Sequence, residues 1–137
     1  MGQQQLLLLV LGIVIVGIAV VAGITAFTEG KNKADRDAAV ADAMRIVSDV
    51  QAWKLKPSAY GGGANSTASF AGVSFMALGI SPNSGSQYKT SSGCFSLAGS
   101  SSASTITVYQ MDCTTTIATV VITGTTPQDI AWSFAAS

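Results

Sequence analysis

Histidine is absent from this sequence of 137 residues, and charged residues make up only 10% of it. Because histidine is the commonest general base and the commonest metal ligand, its absence removes most catalytic and metal-binding arrangements. The sequence also lacks a G-x-S-x-G motif, and the run Gly61-Gly62-Gly63 is not followed by the Lys-Ser/Thr of a phosphate-binding loop. We therefore expect no catalytic residue, no metal, no cofactor and no enzymatic activity.

Net charge is also absent, since the seven basic and seven acidic residues cancel. A protein that binds nucleic acid usually carries a basic surface that attracts phosphates. We expect no nucleic-acid partner.

Cysteine occurs only twice, as Cys94 and Cys113. Two cysteines cannot complete a four-coordinate zinc site without other soft ligands. In a chain whose cysteines follow a membrane segment, as the run described below indicates, an isolated cysteine pair is typical of a disulfide. A disulfide requires an oxidising compartment outside the cytoplasm. The alternative is two buried reduced thiols.

The most prominent feature is an uncharged apolar run from Leu6 to Phe27. At ~1.5 Å per residue a helix of this length crosses a hydrocarbon core of ~30 Å. The run is hydrophobic on all sides, and a domain this small cannot bury such a helix on every face. We therefore expect a membrane helix, or one that leaves the membrane for another apolar environment.

A cleaved secretory signal peptide is the alternative explanation of the same run. No basic residue lies between Gly2 and Gln5, the apolar stretch exceeds a usual signal core, and no clear A-x-A cleavage site follows. These features favour retention of the helix.

The residues from Ala34 to Lys54 predict an amphipathic helix, after a weak point at Gly30–Lys33 where a kink is expected. Pro57 and the glycine run Gly61–Gly63 should end it. Its apolar positions recur at helical spacing: Ala39, Ala43, Ile46, Val47, Val50 and Trp53. The charges of the opposite face are expected to be solvated: Asp35, Arg36, Asp42, Arg45 and Asp49.

From residue 57 onward, short β-prone runs alternate with turn residues, which predicts an antiparallel sheet of four or five strands. The predicted strands are Phe70–Met76, Tyr88–Leu97, Thr105–Cys113, Ile117–Thr123 and Ile130–Phe134. We expect an α+β fold in which the amphipathic helix packs on this sheet, with regions 1–28, 29–56 and 57–137 as membrane or filament helix, amphipathic helix and head. The expected shared core is Trp53, Phe75, Phe95, Ile106, Val121, Trp132 and Phe134.

The start of the chain, Gly2-Gln3-Gln4-Gln5 followed by the uncharged run from Leu6 to Val20, resembles the type IV pilin superfamily. The layout of apolar helix, amphipathic helix, glycine-rich loop and disulfide-bonded sheet resembles pilins over the whole chain. The resemblance implies a homo-oligomeric helical filament, a precursor in the cytoplasmic membrane, and an extracellular fimbrium used for example in adhesion or motility. A prepilin peptidase and the pilus assembly machinery are the implied partners.

Pilin precursors are cut beside a glycine. The resemblance therefore implies that Met1 is the mature first residue, or alternatively that cleavage after Gly2 leaves Gln3 first; we expect the former. Bacterial pilins usually have glutamate at the fifth mature position, where this chain has Gln5. Glutamine accepts a hydrogen bond from an ammonium group without the added strength of a charge. Archaeal pilins are similar in their glutamine-containing start.

Small residues in the apolar run permit helices to approach closely in a filament core. The residues expected to pack there are Leu6, Leu9, Gly12, Ile13, Val16, Gly17, Val20 and Gly23. The basic residues just beyond the run, Lys31, Lys33 and Arg36, would on their own place that side in the cytoplasm, and a removed basic leader would reverse this orientation.

Two other functions share this layout. A pseudopilin of a type II secretion system often has a calcium site, but the expected head offers only Asp112 and Asp129 as carboxylates. A membrane-anchored extracytoplasmic binding module would carry the same helix without polymerising. Asn65-Ser66-Thr67 matches the N-glycosylation sequon, and an ordinary polar surface loop explains it equally well.

Overall fold

In the part of the chain that the structure describes, one α-helix and a five-stranded antiparallel sheet make up the fold, which is α+β as predicted. The computed structural model describes residues 2–63 and 69–136. Helix α1 spans Gly2–Leu55. The strands follow in sequence order across the sheet: β1 Tyr88–Lys89, β2 Cys94–Gly99, β3 Ser104–Tyr109, β4 Thr116–Ile122 and β5 Ile130–Phe134. Two short 3₁₀ turns occur at Ser58–Tyr60 and Pro127–Asp129.

Helix α1 runs without interruption through Gly30–Lys33, where the sequence predicted a kink. Glycine lowers helix stability by about 1 kcal/mol relative to alanine but leaves every backbone hydrogen bond intact. Proline removes a bond, and the first proline of the chain is Pro57, beyond the helix. The chain divides into two units, Met1–Ala34 and Asp35–Ser137, and α1 contributes to both.

The second unit is built on the amphipathic part of α1. Its buried side chains are the six predicted from the periodicity: Ala39, Ala43, Ile46, Val47, Val50 and Trp53. They pack against the inner face of the sheet, where Phe95, Ile106 and Val120 are fully buried. Each such side chain contributes ~1.5–3 kcal/mol when removed from water, so this face fixes the helix to the sheet.

Buried and more exposed residues alternate along the strands, as expected for an antiparallel meander with one covered face. In β3, Ser104, Ile106 and Val108 are buried while the residues between them are half-exposed. The register pairs Ile106 with the partly buried Leu97 of β2 and with the buried Val120 of β4, so apolar side chains of the three strands lie side by side.

Three predicted strands differ from the observed ones. Phe70–Met76 is irregular and turned, and Gly72 takes a φ of 88° that extended strands do not use. Tyr88–Leu97 is divided into β1 and β2 by a tight turn in which Thr90 donates its N–H to the Gly93 carbonyl at 2.8 Å. The predicted strand Thr105–Cys113 ends at Tyr109, because the chain then turns. Cys113 donates its N–H to the Gln110 carbonyl at 2.9 Å and has a left-handed φ of 60°. The predictions Ile117–Thr123 and Ile130–Phe134 are confirmed within one residue.

The expected core is correct at four of its seven positions, since Trp53, Phe75, Phe95 and Ile106 are buried. Trp132 is partly buried against the core. The other two expectations, Val121 and Phe134, are wrong. Val121 lies between the buried Val120 and Ile122, so strand alternation turns it to the outer face. Phe134 is the last residue of the edge strand β5 and is 62% exposed.

Candidate functional site

The apolar half of α1 forms one continuous exposed hydrophobic surface. Every large apolar side chain between Leu6 and Phe27 is exposed, from 51% at Val14 to 76% at Phe27. The most hydrophobic window of the helix has a mean hydropathy of 3.1 and none of it is buried. The helix is long and apolar enough to cross a membrane, as a membrane anchor or a signal sequence does. A monomer in water could not keep such a surface hydrated without a large free-energy cost.

The eight predicted packing residues share one side of this helix. At ~3.6 residues per turn, the positions from Leu6 to Gly23 that were predicted to pack fall within a sector of roughly 140°. Gly12, Gly17 and Gly23 belong to this sector, and a Cβ built on any of them meets no atom within 4 Å. Nothing within the described chain therefore explains why these positions are glycine. We name this sector the grooved face.

The opposite side of the same helix carries a row of bulky residues at alternating spacings of four and three. These residues are Leu7, Leu11, Val14, Ile18 and Val21, all of them exposed. Side chains spaced in this way form a ridge that fits the groove of another helix. The two sides of the apolar helix thus differ in composition, since the grooved face has three glycines at its margins beside its bulky residues. We name the other side, from Leu7 to Val21, the ridged face.

The two hydroxyls of the apolar region are satisfied within the helix itself. Thr25 donates to the Val21 carbonyl and Thr28 donates to the Ile24 carbonyl, each at 2.9 Å. An unpaired hydroxyl in an apolar medium costs several kcal/mol, and these internal bonds remove most of that cost. Between Gly2 and Thr28, the glutamines at the start of the helix are therefore the side chains that still need a hydrogen-bond partner such as water.

The predicted processing and assembly residues lie at the beginning of α1. Gly2 and Gln5 are both helical and exposed, and the first turn contains no acidic residue. Met1 and the glycosylation candidate Asn65 lie outside the described residues.

Cys94 and Cys113 form a disulfide, as predicted, across a sequence separation of 19. Cys94 is fully buried at the start of β2, whereas Cys113 lies in the loop between β3 and β4 and not on a strand. The disulfide therefore links the β3–β4 loop to β2, the neighbour of β3 on its other side.

Asp112 organises the same loop. Its carboxylate accepts hydrogen bonds from the N–H groups of Thr114 and Thr115 at 3.0 Å and from the Thr115 hydroxyl at 2.7 Å. These bonds, the Thr114 N–H foremost, hold the pKa of Asp112 well below its usual range. Asp129 behaves similarly in the turn before β5, where bonds from the Thr126 hydroxyl and N–H lower its pKa. Both carboxylates are thus used for turn structure.

A second tie joins α1 to the turn between β1 and β2. Asp42 accepts hydrogen bonds from the Thr90 hydroxyl at 3.1 Å and from the Ser92 hydroxyl. The sequence predicted Asp42 as part of a solvated charged face, and this expectation is wrong for Asp42. Nothing in the sequence indicates the contact, because the partners lie 48 and 50 residues away.

Lys54 joins the end of α1 to the segment that returns toward the sheet. Its ammonium group donates to the Ser69 carbonyl and lies 4.6 Å from the centre of the Phe70 ring. Partial burial lowers the pKa of Lys54. A cation over an aromatic face is attracted by the ring quadrupole, so Lys54 fixes the position of Phe70 in the core.

Among residues 2–63 and 69–136, no group of three or more Asp, Glu or Cys side chains is placed to hold a metal ion. No family model, curated protein or solved structure matches the chain. The resemblance to type IV pilins therefore remains a prediction carried by the pattern of residues 1–28 and the layout of the chain.

Proposed function

We propose that this chain is a structural subunit of an extracellular type IV pilus-like filament, which polymerises through its N-terminal apolar helix. One observation carries the proposal. The same continuous helix has an uncharged part exposed on every side and an amphipathic part that completes the core of a disulfide-bonded head. The amphipathic part already packs on the inner face of the sheet, while no residue of the apolar part is buried in the described chain, so the apolar part is available for copies of itself.

The energetics favour transfer of this helix between apolar environments. A buried leucine or isoleucine gains ~1.5–3 kcal/mol relative to water, and this gain is nearly the same in lipid and in a bundle of helices. The hydrophobic term therefore almost cancels when a subunit moves from membrane to filament. Van der Waals packing between helices then decides the equilibrium, as it does for helices within membranes.

The unlike faces of the helix suit a helical polymer. A grooved face on one subunit can receive the ridged face of another, and such a contact uses two different surfaces. Heterologous contacts of this kind propagate into open filaments when the rotation does not close a ring. Gly17 lies at one margin of the grooved face, and a Cβ built on it meets no atom within 4 Å, so this position allows close approach of a second helix.

The absence of charge from Gly2 to Thr28 also supports a dry filament core. A buried unpaired carboxylate would be costly, and Gln5 avoids that cost while retaining hydrogen-bonding groups. Assembly on these terms does not use the ion pair attributed to bacterial pilins with glutamate at this position.

The test is the variant Gly17→Trp, expressed with the membrane machinery of the native host. Sheared surface material is sedimented and analysed by mass spectrometry, and the membrane fraction is assayed for the same chain. We expect Gly17→Trp to remain in the membrane and to be lost from sedimenting filaments, because an indole prevents close approach of helices.

The matched control is Gly30→Trp. Gly30 lies on the same helix, a Cβ there also meets no atom within 4 Å, and the residue is outside the uncharged run. Filaments should form normally from this variant. Normal filaments from Gly17→Trp would contradict the packing claim. A wild-type chain that never sediments as filaments would favour the membrane-anchored binding module, and mature protein starting beyond residue 28 would favour a cleaved signal sequence.

A further inference from the structure

The β3–β4 loop, which carries Cys113, is closed by hydrogen bonds of its own. Gln110 donates its N–H to the Thr115 carbonyl at 2.8 Å, and this bond closes the loop at its base. Cys113 donates its N–H to the Gln110 carbonyl at 2.9 Å. The carboxylate of Asp112 accepts from the N–H groups of Thr114 and Thr115 and from the Thr115 hydroxyl. None of these bonds uses a sulfur atom, so all of them can form in the reduced chain.

Cys113 has a backbone conformation that the rest of the loop must impose. Its φ of 60° is the one positive value among the non-glycine residues that the structure describes. A residue with a side chain is strained in the left-handed region and stays there only where surrounding contacts hold it. Asp112 precedes Cys113, and its carboxylate binds the N–H groups of Thr114 and Thr115, which follow Cys113. The Asp112 bonds therefore span Cys113 and hold it in this conformation.

The other cysteine is fixed by the strands on both sides of it. Cys94 is fully buried at the start of β2, where it lies opposite Lys89 of β1 and Tyr109 of β3. Lys89 is in turn held by the side chain of Asn83. The Asn83 Nδ2 donates to the Lys89 carbonyl at 2.9 Å, and its Oδ1 accepts from the Lys89 N–H at 2.7 Å. The position of Cys94 thus depends on the sheet, whereas the position of Cys113 depends on the loop.

We propose that Asp112 positions Cys113 for oxidation, because the β3–β4 loop forms in the reduced chain and holds the Cys113 thiol beside the Cys94 thiol before the disulfide exists. Asp112 is a positioning residue in this step and does not itself react. Two thiols that are held in place have a high effective concentration, which favours the bond between them. The inference concerns the head and does not rest on the proposed filament.

The oxidation takes place by thiol–disulfide exchange with an external disulfide. Cys113 is partly exposed and Cys94 is fully buried, so the Cys113 thiolate attacks the external disulfide, forms a mixed disulfide and releases one thiolate. The Cys94 thiolate then attacks the Cys113 sulfur and releases the second thiolate. The two cysteines together lose two protons and two electrons, and the external disulfide is reduced to two thiols. Asp112 acts in the second step, in which the Cys113 sulfur must stay within reach of Cys94.

The experiment uses the full chain in detergent micelles, equilibrated with mixtures of reduced and oxidised dithiothreitol at neutral pH. Thiol labelling followed by mass spectrometry measures the oxidised fraction, which gives the equilibrium constant of the disulfide. Asp112→Ala should lower this constant about tenfold or more, because the loop no longer holds Cys113. Asp112→Asn keeps an acceptor oxygen for the two N–H groups and should lower the constant less.

Asp129→Ala is the matched control. Asp129 also accepts hydrogen bonds from a threonine hydroxyl and N–H, those of Thr126, but it lies at the opposite end of β4 from the disulfide. This variant should leave the equilibrium constant of the disulfide within about twofold. Near-ultraviolet circular dichroism of the oxidised variants checks that each head is folded. Equal decreases in Asp112→Ala and Asp129→Ala would overturn the proposal, since they would reflect the stability of the head alone.

Hydrogen exchange of the reduced wild-type chain decides whether the loop precedes the disulfide. We expect the Thr114 and Thr115 amides, which donate to Asp112, to stay protected after reduction and to lose protection in reduced Asp112→Ala. Free exchange of these amides in the reduced wild type would contradict the proposal, because the loop would then be a product of the disulfide. An unchanged equilibrium constant in Asp112→Ala would contradict it as well.

Discussion

The indole ring of Trp53 occupies the position where a side chain at Gly63 would begin. A Cβ built on Gly63 would overlap the ring, and the Trp53 Nε1 donates to the Gly61 carbonyl at 3.1 Å. The glycine run after the helix therefore does more than end it. The run folds back over Trp53, the last buried residue of α1, and its Gly61 carbonyl accepts the hydrogen bond of the indole N–H.

Replacing Gly63 with alanine should destabilise the head. Forcing a methyl group into an occupied site typically costs ~1–3 kcal/mol of unfolding free energy. Urea unfolding of the full chain in micelles, followed by near-ultraviolet circular dichroism of the tryptophans, measures this cost. The control is Gly30→Ala, at an open helical site, which should stabilise by about 0.5–1 kcal/mol. Equal effects of the two substitutions would disprove the overlap.

The disulfide should stabilise the head mainly by restricting the unfolded chain. Closing a loop over a separation of 19 residues contributes about 3 kcal/mol in the chain-entropy model. The double variant Cys94→Ala/Cys113→Ser should lose about that free energy of unfolding, and reduction of the wild-type chain should give a similar loss. An unchanged urea midpoint after complete reduction would show that the unfolded chain gains no freedom.

Removing the carboxylate of Asp42 should weaken the attachment of the β1–β2 turn to the helix. Asp42→Ala leaves the Thr90 and Ser92 hydroxyls without their acceptor, and such losses cost ~1–3 kcal/mol. Asp37→Ala, at an exposed position of the same helix, is the matched control and should have an effect below about 0.5 kcal/mol. In a double-mutant cycle, Ser92→Ala should cost less in the Asp42→Ala background than in the wild type. Additive losses would mean that the two residues do not interact.

Acid should weaken the head through Asp112 and Asp129. Their pKa values are lowered in the folded state from an ordinary value of 3.8. The unfolded chain therefore binds protons first as pH falls. Their stabilising contribution is fully present above that ordinary value, and it is lost as pH decreases from there toward the lowered folded pKa values. Urea titrations between pH 2 and pH 6 measure the slope. Asp112→Asn should flatten it, and a slope unchanged in that variant would exclude Asp112 as a cause.

Much of the fold follows from local patterns in the sequence. The helix was predictable because its apolar residues repeat at helical spacing as far as Trp53 and no proline precedes Pro57. Strand β5 was predictable with its observed bounds because turn residues before it and apolar alternation within it agree. In both cases the secondary-structure propensity and the hydrophobic pattern of the same residues predict the same element.

Other features depend on partners that local patterns do not contain. Phe70–Met76 has the apolar content of a strand, yet it buries Phe70, Val73 and Phe75 from a turned conformation and has no strand partner. Cys113 required a left-handed backbone that no neighbouring residue indicates. The candidate assembly helix was visible from composition, whereas its unlike faces emerge only when the positions are placed around the axis.

The amide of Asn83 has a consequence for how far strand addition can proceed. A sheet that is open on both sides can recruit one chain after another, and repeated recruitment of this kind leads to fibrils of unlimited length. Here one side is already satisfied by a side chain of the same molecule. Asn83 pairs with both the N–H and the carbonyl of Lys89, so this edge cannot be one of the two open sides that such growth requires.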